Sequence, residues 1–427
     1  MSSLETPVRA ADEWKAQWPL VLAAMVGFSF HSIATYSSGL FIEPLQEEFG
    51  WSRGQITAGL AIAAISTVPL SPFVGAIIDR WGSRRIALPG LVLTACSLAS
   101  FGTTGASIAY WLGLWCIYAL VGLSVKSTVW TFAVSQAFSA GRGLALAVML
   151  SGTAIAQSLV PPLAQWLIAT VGWREAWFWL GFGWCLPALV LAWFFLKDAK
   201  PATRPPHAAS GPHADVALRV PGMTMGEALR NPALLKLGGA TFIMMTLGLA
   251  VIVHQVPILT EIGMSREVAA WLAGLSGVAG IVGKLVTGAL MDRFDGARIG
   301  ALTIGVSAAG FALLLAPPSL PTIITGIVII GYAVGTKLQV AAYLTSQITG
   351  MNSFGKIFGM MNSLIALGAG LGPVMSGFIY DAFGTYAPLL LAGIPGSLIS
   401  AFLVYSLRGS RTPPPAVVEA VSAQMEP

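Results

Sequence analysis

Three lysines, Lys126, Lys284 and Lys337, fall inside long apolar runs in which no Asp or Glu lies deep. The acids nearest those runs, Glu43, Glu175, Glu261, Glu267 and Asp381, stand at their ends. An ammonium facing lipid costs roughly 3 kcal/mol, so three would cost about 9. They are expected to face a water-filled cavity, where a mobile anion is the natural counter-charge; the alternative for each is snorkelling to an interface. His31 and His254 are the groups inside the runs that titrate near neutral pH, as a proton carrier must. Each is also readable as a hydrogen-bonded packing residue. Tyr36, Thr35, Ser38 and Gln255 could donate to a carboxylate, although polar groups in such runs more often bond a neighbouring helix.

The elements that must position these residues are membrane helices. The chain is 56% hydrophobic and 10% charged, with a mean hydropathy of +0.77. A water-soluble fold of 427 residues has no use for so much apolar surface. Hydropathy and breakers predict helices 1 to 12 at residues 18–42, 54–78, 86–106, 109–138, 143–170, 175–196, 232–260, 267–290, 299–316, 320–348, 354–380 and 385–407. Several exceed the minimum length, which tilt or an extension beyond the bilayer absorbs. Residues 1–17 read as a cytoplasmic segment, 18–196 as one six-helix bundle, 197–231 as a cytoplasmic linker, 232–407 as a second bundle and 408–427 as a disordered cytoplasmic tail. Met225 to Leu237 has helical character and is expected along the membrane surface. Cys96, Cys116 and Cys185 show no metal spacing and read as small core residues, and no metal or cofactor is expected.

The basic residues set the orientation. With both termini inside, 17 of the 23 Lys and Arg fall in cytoplasmic segments and three, Arg53, Arg174 and Arg266, fall outside. That positive-inside bias accounts for the net charge of +5 without a nucleic-acid partner. The segment before helix 1 has no apolar core beside its basic residues, so no cleaved signal is expected.

The chain also repeats itself. GAIIDRW from Gly75 returns as GALMDRF from Gly288, 213 residues later (288 − 75). In the same register Pro44, Glu48, Gly50, Ser52 and Arg53 match Pro257, Glu261, Gly263, Ser265 and Arg266. Lys126 and Lys337 are 211 apart, whereas the counterpart of Lys284 is Ser71, so Lys284 is where the repeat breaks. An even number of helices per repeat keeps the halves in one orientation, which predicts a pseudo-two-fold axis along the membrane normal and a site where the halves meet.

GAIIDRWGSRR resembles the loop 2–3 signature of the major facilitator superfamily, with GALMDRFDGAR as its weaker copy in loop 8–9. FIEPLQEEFGWSR is similar to the phrase after helix 1 in the monocarboxylate transporters and the oxalate:formate antiporter group. The resemblance implies that helices 1, 4, 7 and 10 line the cavity, which puts Lys126 and Lys337 there. It also implies a carboxylate-binding arginine on helix 8, and this chain has Lys284 at that position. Lysine keeps the charge but loses the bidentate fork. Asp79, Arg80, Arg84 and Arg85 would then form a latch on the cytoplasmic gate, with Asp292 and Arg293 acting more weakly; otherwise they serve topology and solubility.

The expectation is therefore an all-α membrane protein, not an enzyme, multi-pass in the plasma (inner) membrane, working as a monomer. It would carry small organic anions, monocarboxylates foremost, by alternating access with proton symport. The anion would meet Lys284, Lys126, Lys337, Tyr36, His31 and Gln255, and His31 and His254 would couple the proton. A second reading is exchange of a small dicarboxylate such as oxalate against a monocarboxylate. Drug efflux is disfavoured because no acid is embedded in a span, and a non-transporting membrane sensor because no soluble domain is fused to the helices.

Overall fold

A computed structural model describes residues 10–138, 140–197, 223–350 and 354–409 of the chain. Residues 1–9 of the expected N-terminal segment, 198–222 of the linker and 410–427 of the tail lie outside the described residues. Ten helical stretches are long and apolar enough to cross a membrane. One of them, Arg142–Phe195, has 54 residues. As one rod it would run about 81 Å, more than twice the hydrocarbon core. It turns instead at Gly172 (φ 84°, ψ 162°), a conformation open to glycine, and so supplies helices 5 and 6. Arg53–Trp81 adds one more crossing.

The other ranges are Ala10–Phe49 for helix 1, Ser83–Ser100 for helix 3 and Ile108–Ala137 for helix 4. Helix 2 is Arg53–Trp81. Helix 7 is Pro232–Val253, continued by Gln255–Glu261. Then follow helix 8 (Arg266–Arg293), helix 9 (Gly296–Leu315), helix 10 (Leu320–Thr349), helix 11 (Phe354–Phe383) and helix 12 (Ala387–Tyr405). The twelve helices of the sequence reading are all present, and the start of helix 1 and the end of helix 12 lie at one end, here the terminal end; the other is the far end. Helix 1 starts well before residue 18 because its extension has contacts of its own. Trp14 meets Phe138 with ring centroids 5.5 Å apart, and the Glu13 carboxylate accepts the Gly141 N–H at 2.7 Å.

The repeated phrase is a stop followed by a start. Gly50 and Gly263 end helices 1 and 7 at positive φ (68° and 95°), and Ser52 and Ser265 cap helices 2 and 8 through the N–H groups of Gln55 and Val268. Across the halves, helix 2 packs on helix 11 and helix 5 on helix 8. The repeat converts helix 2 into 8 and helix 5 into 11, so it maps one contact onto the other, as a pseudo-two-fold axis requires. Met225–Arg230 forms a short helix with a capping box in which Glu227 accepts the Thr224 N–H at 2.8 Å. That bond holds the Glu227 carboxyl below its ordinary range. The chain breaks at Asn231, whose side chain caps helix 7 through the Ala233 N–H at 2.8 Å. Asn231→Ala is expected to lower stability by about 1 kcal/mol, read as a fall of the thermal midpoint in detergent. Cys185 is buried as expected, but Cys96 and Cys116 are exposed, because their helix faces point away from the bundle.

Candidate functional site

Lys284 leaves helix 8 at the seam between the halves. Gly274 and Gly277 approach helix 5, where an added Cβ would come within 2.5 Å of Ser158. Gly280 and Gly283 approach Gly331 and Tyr332 of helix 10. Positions 277 and 280 flank residue 284 on the helical wheel, so the lysine points between helices 5 and 10. It is half-buried and makes no hydrogen bond or ion pair among the described residues. One turn on, Thr287 Oγ1 and Tyr332 OH lie 3.0 Å apart, a polar pair that sequence reasoning did not single out.

Lys126 sits at a break. Helix 4, expected to be continuous, runs Ile108–Val121, passes through a 3-10 turn at Gly122–Val125, and restarts as Ser127–Ala137 after an extended Lys126 (φ −73°, ψ 166°). Its Nζ donates to Thr67 Oγ1 of helix 2 at 2.6 Å. Lys126 is also a charge neighbour of His31. The imidazole Nδ1 of His31 is shielded from solvent and has no hydrogen-bond partner. Tyr36, farther along helix 1, is half-buried, and its hydroxyl has no partner among the described residues.

Lys337 and Gln255, expected to meet the anion, each have a hydrogen-bond partner within the bundle. Lys337 is 4% exposed. Its Nζ donates to the Met244 carbonyl of helix 7 at 2.6 Å, in space left by Gly248. Gln255 is buried, its Oε1 accepting from Ser276 Oγ at 3.1 Å, while Gln157 Nε2 of helix 5 donates to the same hydroxyl at 3.3 Å. That chain joins helices 5, 8 and 7 across the halves. His254 is fully buried at the break in helix 7 (φ −91°, ψ 12°). Its Nε2 lies 2.9 Å from the Pro373 carbonyl, which only accepts, so Nε2 carries the proton and Nδ1 accepts from Tyr386 OH at 2.7 Å.

This histidine belongs to a closure of the far end that sequence reasoning missed. Arg53 is 7% exposed. It donates through Nε to Gln46 at 2.9 Å and through Nη1 to Tyr386 OH at 2.7 Å, with its guanidinium 3.5 Å from the Tyr380 ring centroid. Asp381 of helix 11 accepts the N–H groups of Arg53 and Gly54 at 2.8 and 2.9 Å, a carboxylate at the N-terminus of helix 2. The repeated prolines contribute as well. Lacking N–H groups, Pro44 and Pro257 free the carbonyls four residues back. Leu40 O accepts Arg266 Nη2 at 2.9 Å, and Val253 O lies against Gly39. Arg266 also pairs with Glu43 at 3.3 Å. The contacts of Arg53 with Tyr380 and Tyr386, of Asp381 with Arg53 and Gly54, of Arg266 with Leu40 and Glu43, and of Val253 with Gly39 join the two halves at the far end.

The expected gating residues are at the terminal end. The Asp79 side chain lies outside the described residues. Arg84 donates to the Leu196 carbonyl at 2.6 Å within its own half, and Arg80, Arg85, Asp292 and Arg293 are exposed.

Two six-helix halves about a pseudo-two-fold axis, with cationic side chains at their seam and one end closed by interhalf contacts, define a secondary-transporter architecture. The chain belongs to the major facilitator superfamily, whose profile matches residues 24–260 and again 237–425. It is thus a multi-pass membrane transporter of a small molecule, not an enzyme. It is similar to monocarboxylate transporter 13 of Bos taurus, 26% identical over 388 residues covering 88% of this chain and 86% of the relative. It is also similar to monocarboxylate transporter 11 of Homo sapiens, 27% identical over 404 residues, 90% of this chain and 81% of the relative. Among solved structures, a D-xylose-proton symporter shares the fold with TM-score 0.69 at 15% identity, covering 91% of this chain and 97% of the other. A bacterial homolog of the human lysosomal transporter Spinster, inward-facing and unoccupied, does so with TM-score 0.63 at 18% identity, covering 94% and 96%.

Proposed function

We propose that the chain carries small monocarboxylates in symport with a proton. The observation that carries this reading is Lys284, a half-buried ammonium at the seam with no fixed partner among the described residues. A bound carboxylate neutralises it and so removes the cost of closing the halves over a bare charge. Lys126, His31 and Tyr36 face the anion from the first half, and Lys337 and Gln255 hold helix 10 and helix 8 against helix 7. His31 is the proton carrier closest to that anion, and His254 couples the proton to the far-end closure. The similarity to monocarboxylate transporters supports the substrate class.

The positive-inside bias assigns the terminal end to the cytoplasm, so the closed end faces outward and the carrier is inward-facing. Asp79, Arg80, Arg84 and Arg85 would latch the cytoplasmic side, with Asp292 and Arg293, when the far end opens. The chain acts as a monomer in the plasma membrane with cytoplasmic termini. Exchange of a dicarboxylate such as oxalate is the second reading, favoured by two cations, Lys126 and Lys284, with no acid between them.

Proteoliposomes should take up labelled lactate, pyruvate or formate faster when the outside is acidic, and the uptake should carry protons. Uptake of oxalate only against internal formate, indifferent to pH, would replace symport with exchange. Transport of a cation and none of these acids would overturn the anion reading.

A further inference from the structure

A cavity of about 400 Å³ opens at the terminal end of the first half, between helices 2 and 4. Ser127, Thr128, Thr131 and Ser135 of helix 4 line one wall, Gly75 of helix 2 lies opposite, and Arg142 at the start of helix 5 stands at the mouth. None of these four hydroxyls nor the guanidinium makes a side-chain hydrogen bond or ion pair among the described residues. Ser135 Oγ is also shielded from solvent.

That contrasts with several other helical hydroxyls of this molecule. A Ser or Thr in a helix ordinarily returns its hydroxyl to the carbonyl four residues back. Ser37, Thr67, Ser158, Thr246 and Thr345 all do so here. The repeat sharpens the contrast. At a register of 211, Ser127, Thr128 and Thr131 correspond to Leu338, Gln339 and Ala342. Ser346, the counterpart of Ser135, donates to the Tyr343 carbonyl at 2.7 Å. Of helices 4 and 10, only helix 4 presents free hydroxyls in a row among the described residues.

Their setting is cationic. The row begins beside Lys126, at a helix start that has no side-chain cap and so adds partial positive charge, and it ends at Arg142. Among the described side chains, no acid lines the cavity. Neutral donors between two cations suit a small, partly hydrated carboxylate and repel a cation.

We propose that this cavity is a second carboxylate subsite, on the path between Lys126 and the cytoplasm, through which the anion leaves or enters the central site. The inference rests on the anion-carrier reading and its orientation. The test is transport kinetics in proteoliposomes of each sidedness, with whichever of lactate, pyruvate, formate or oxalate the wild type carries best. Thr131→Val with Ser135→Ala, and separately Arg142→Gln, should raise the KM for substrate offered from the cytoplasmic face about five- to ten-fold, the loss of one or two hydrogen bonds. The KM from the far face should not change, and Arg142→Lys should restore much of the affinity. A cytoplasmic KM within about two-fold of wild type overturns the subsite while leaving the carrier reading intact. A matched fall in turnover from both faces with no change in KM also overturns it, since a structural defect acts that way. If the wild type carries none of the four acids, the carrier reading fails and the subsite fails with it.

Discussion

Lys284→Gln is expected to abolish carboxylate uptake while leaving the fold intact. The glutamine keeps a polar, hydrogen-bonding side chain about one atom shorter and removes the charge. Truncating one partner of a desolvated charge pair costs about 2–5 kcal/mol, so affinity should fall by at least about 30-fold. Lys284 bonds to nothing among the described residues, so no structural contact is lost and the thermal midpoint should hold or rise. Lys284→Arg should keep binding, because the guanidinium supplies the same charge with a fork that fits a carboxylate. Equilibrium binding and uptake measured on the same preparations check both. Normal transport by Lys284→Gln would remove Lys284 from the site and leave Lys126 as the cation to test.

The second large effect is expected at Gly39. In most helix interiors Gly→Ala stabilises by about 1 kcal/mol. Here the new Cβ would stand 1.9 Å from the Val253 carbonyl, a backbone atom of the opposite half. Closure of the far end is what that contact forbids, so Gly39→Ala should hold the carrier open at the far end. Turnover should drop at least about ten-fold, corresponding to more than 1.4 kcal/mol against the closed state. Binding from the far face should persist. A cysteine placed at Val253, in a background lacking Cys96, Cys116 and Cys185, should pass from protected to reactive. Full turnover with an unreactive cysteine would show that Gly39 does not gate.

Much of the fold was readable from short-range pattern. Apolar runs of bilayer length give helices in any context, because lipid offers the backbone no other partner. Gly50 with Ser52 and Gly263 with Ser265 announce a helix stop and a helix start through positive φ and a capping hydroxyl, both local properties. The repeat then supplies the two halves. The break expected between residues 170 and 175 falls at Gly172, since glycine readily adopts that backbone conformation.

The site was legible only in its residue types. Lys126 and Lys337 are equivalent in sequence, near mid-span and 211 residues apart. One donates to the Thr67 hydroxyl beside the unpartnered His31, and the other is consumed by the Met244 carbonyl. The difference is Gly248, whose missing side chain lets the ammonium reach a backbone it would otherwise not meet. Likewise Arg53 and Arg266 entered the sequence reading only as charges on the outside, yet Arg53 is buried under Tyr380 and bonded to Tyr386. The free hydroxyls of helix 4 had no signal in the sequence at all.

From sequence alone, then, came the solvent, the twelve helices, the doubled architecture and the excess of cations over acids within the membrane. Those follow from composition, periodicity and caps, which act within a turn or two of the chain. Which cation stays free, where helix 4 breaks, and which end of the bundle is shut were decided by tertiary structure. Each depends on a donor and an acceptor that lie tens to hundreds of residues apart along the chain, and only the packing of helices brings them within 3 Å.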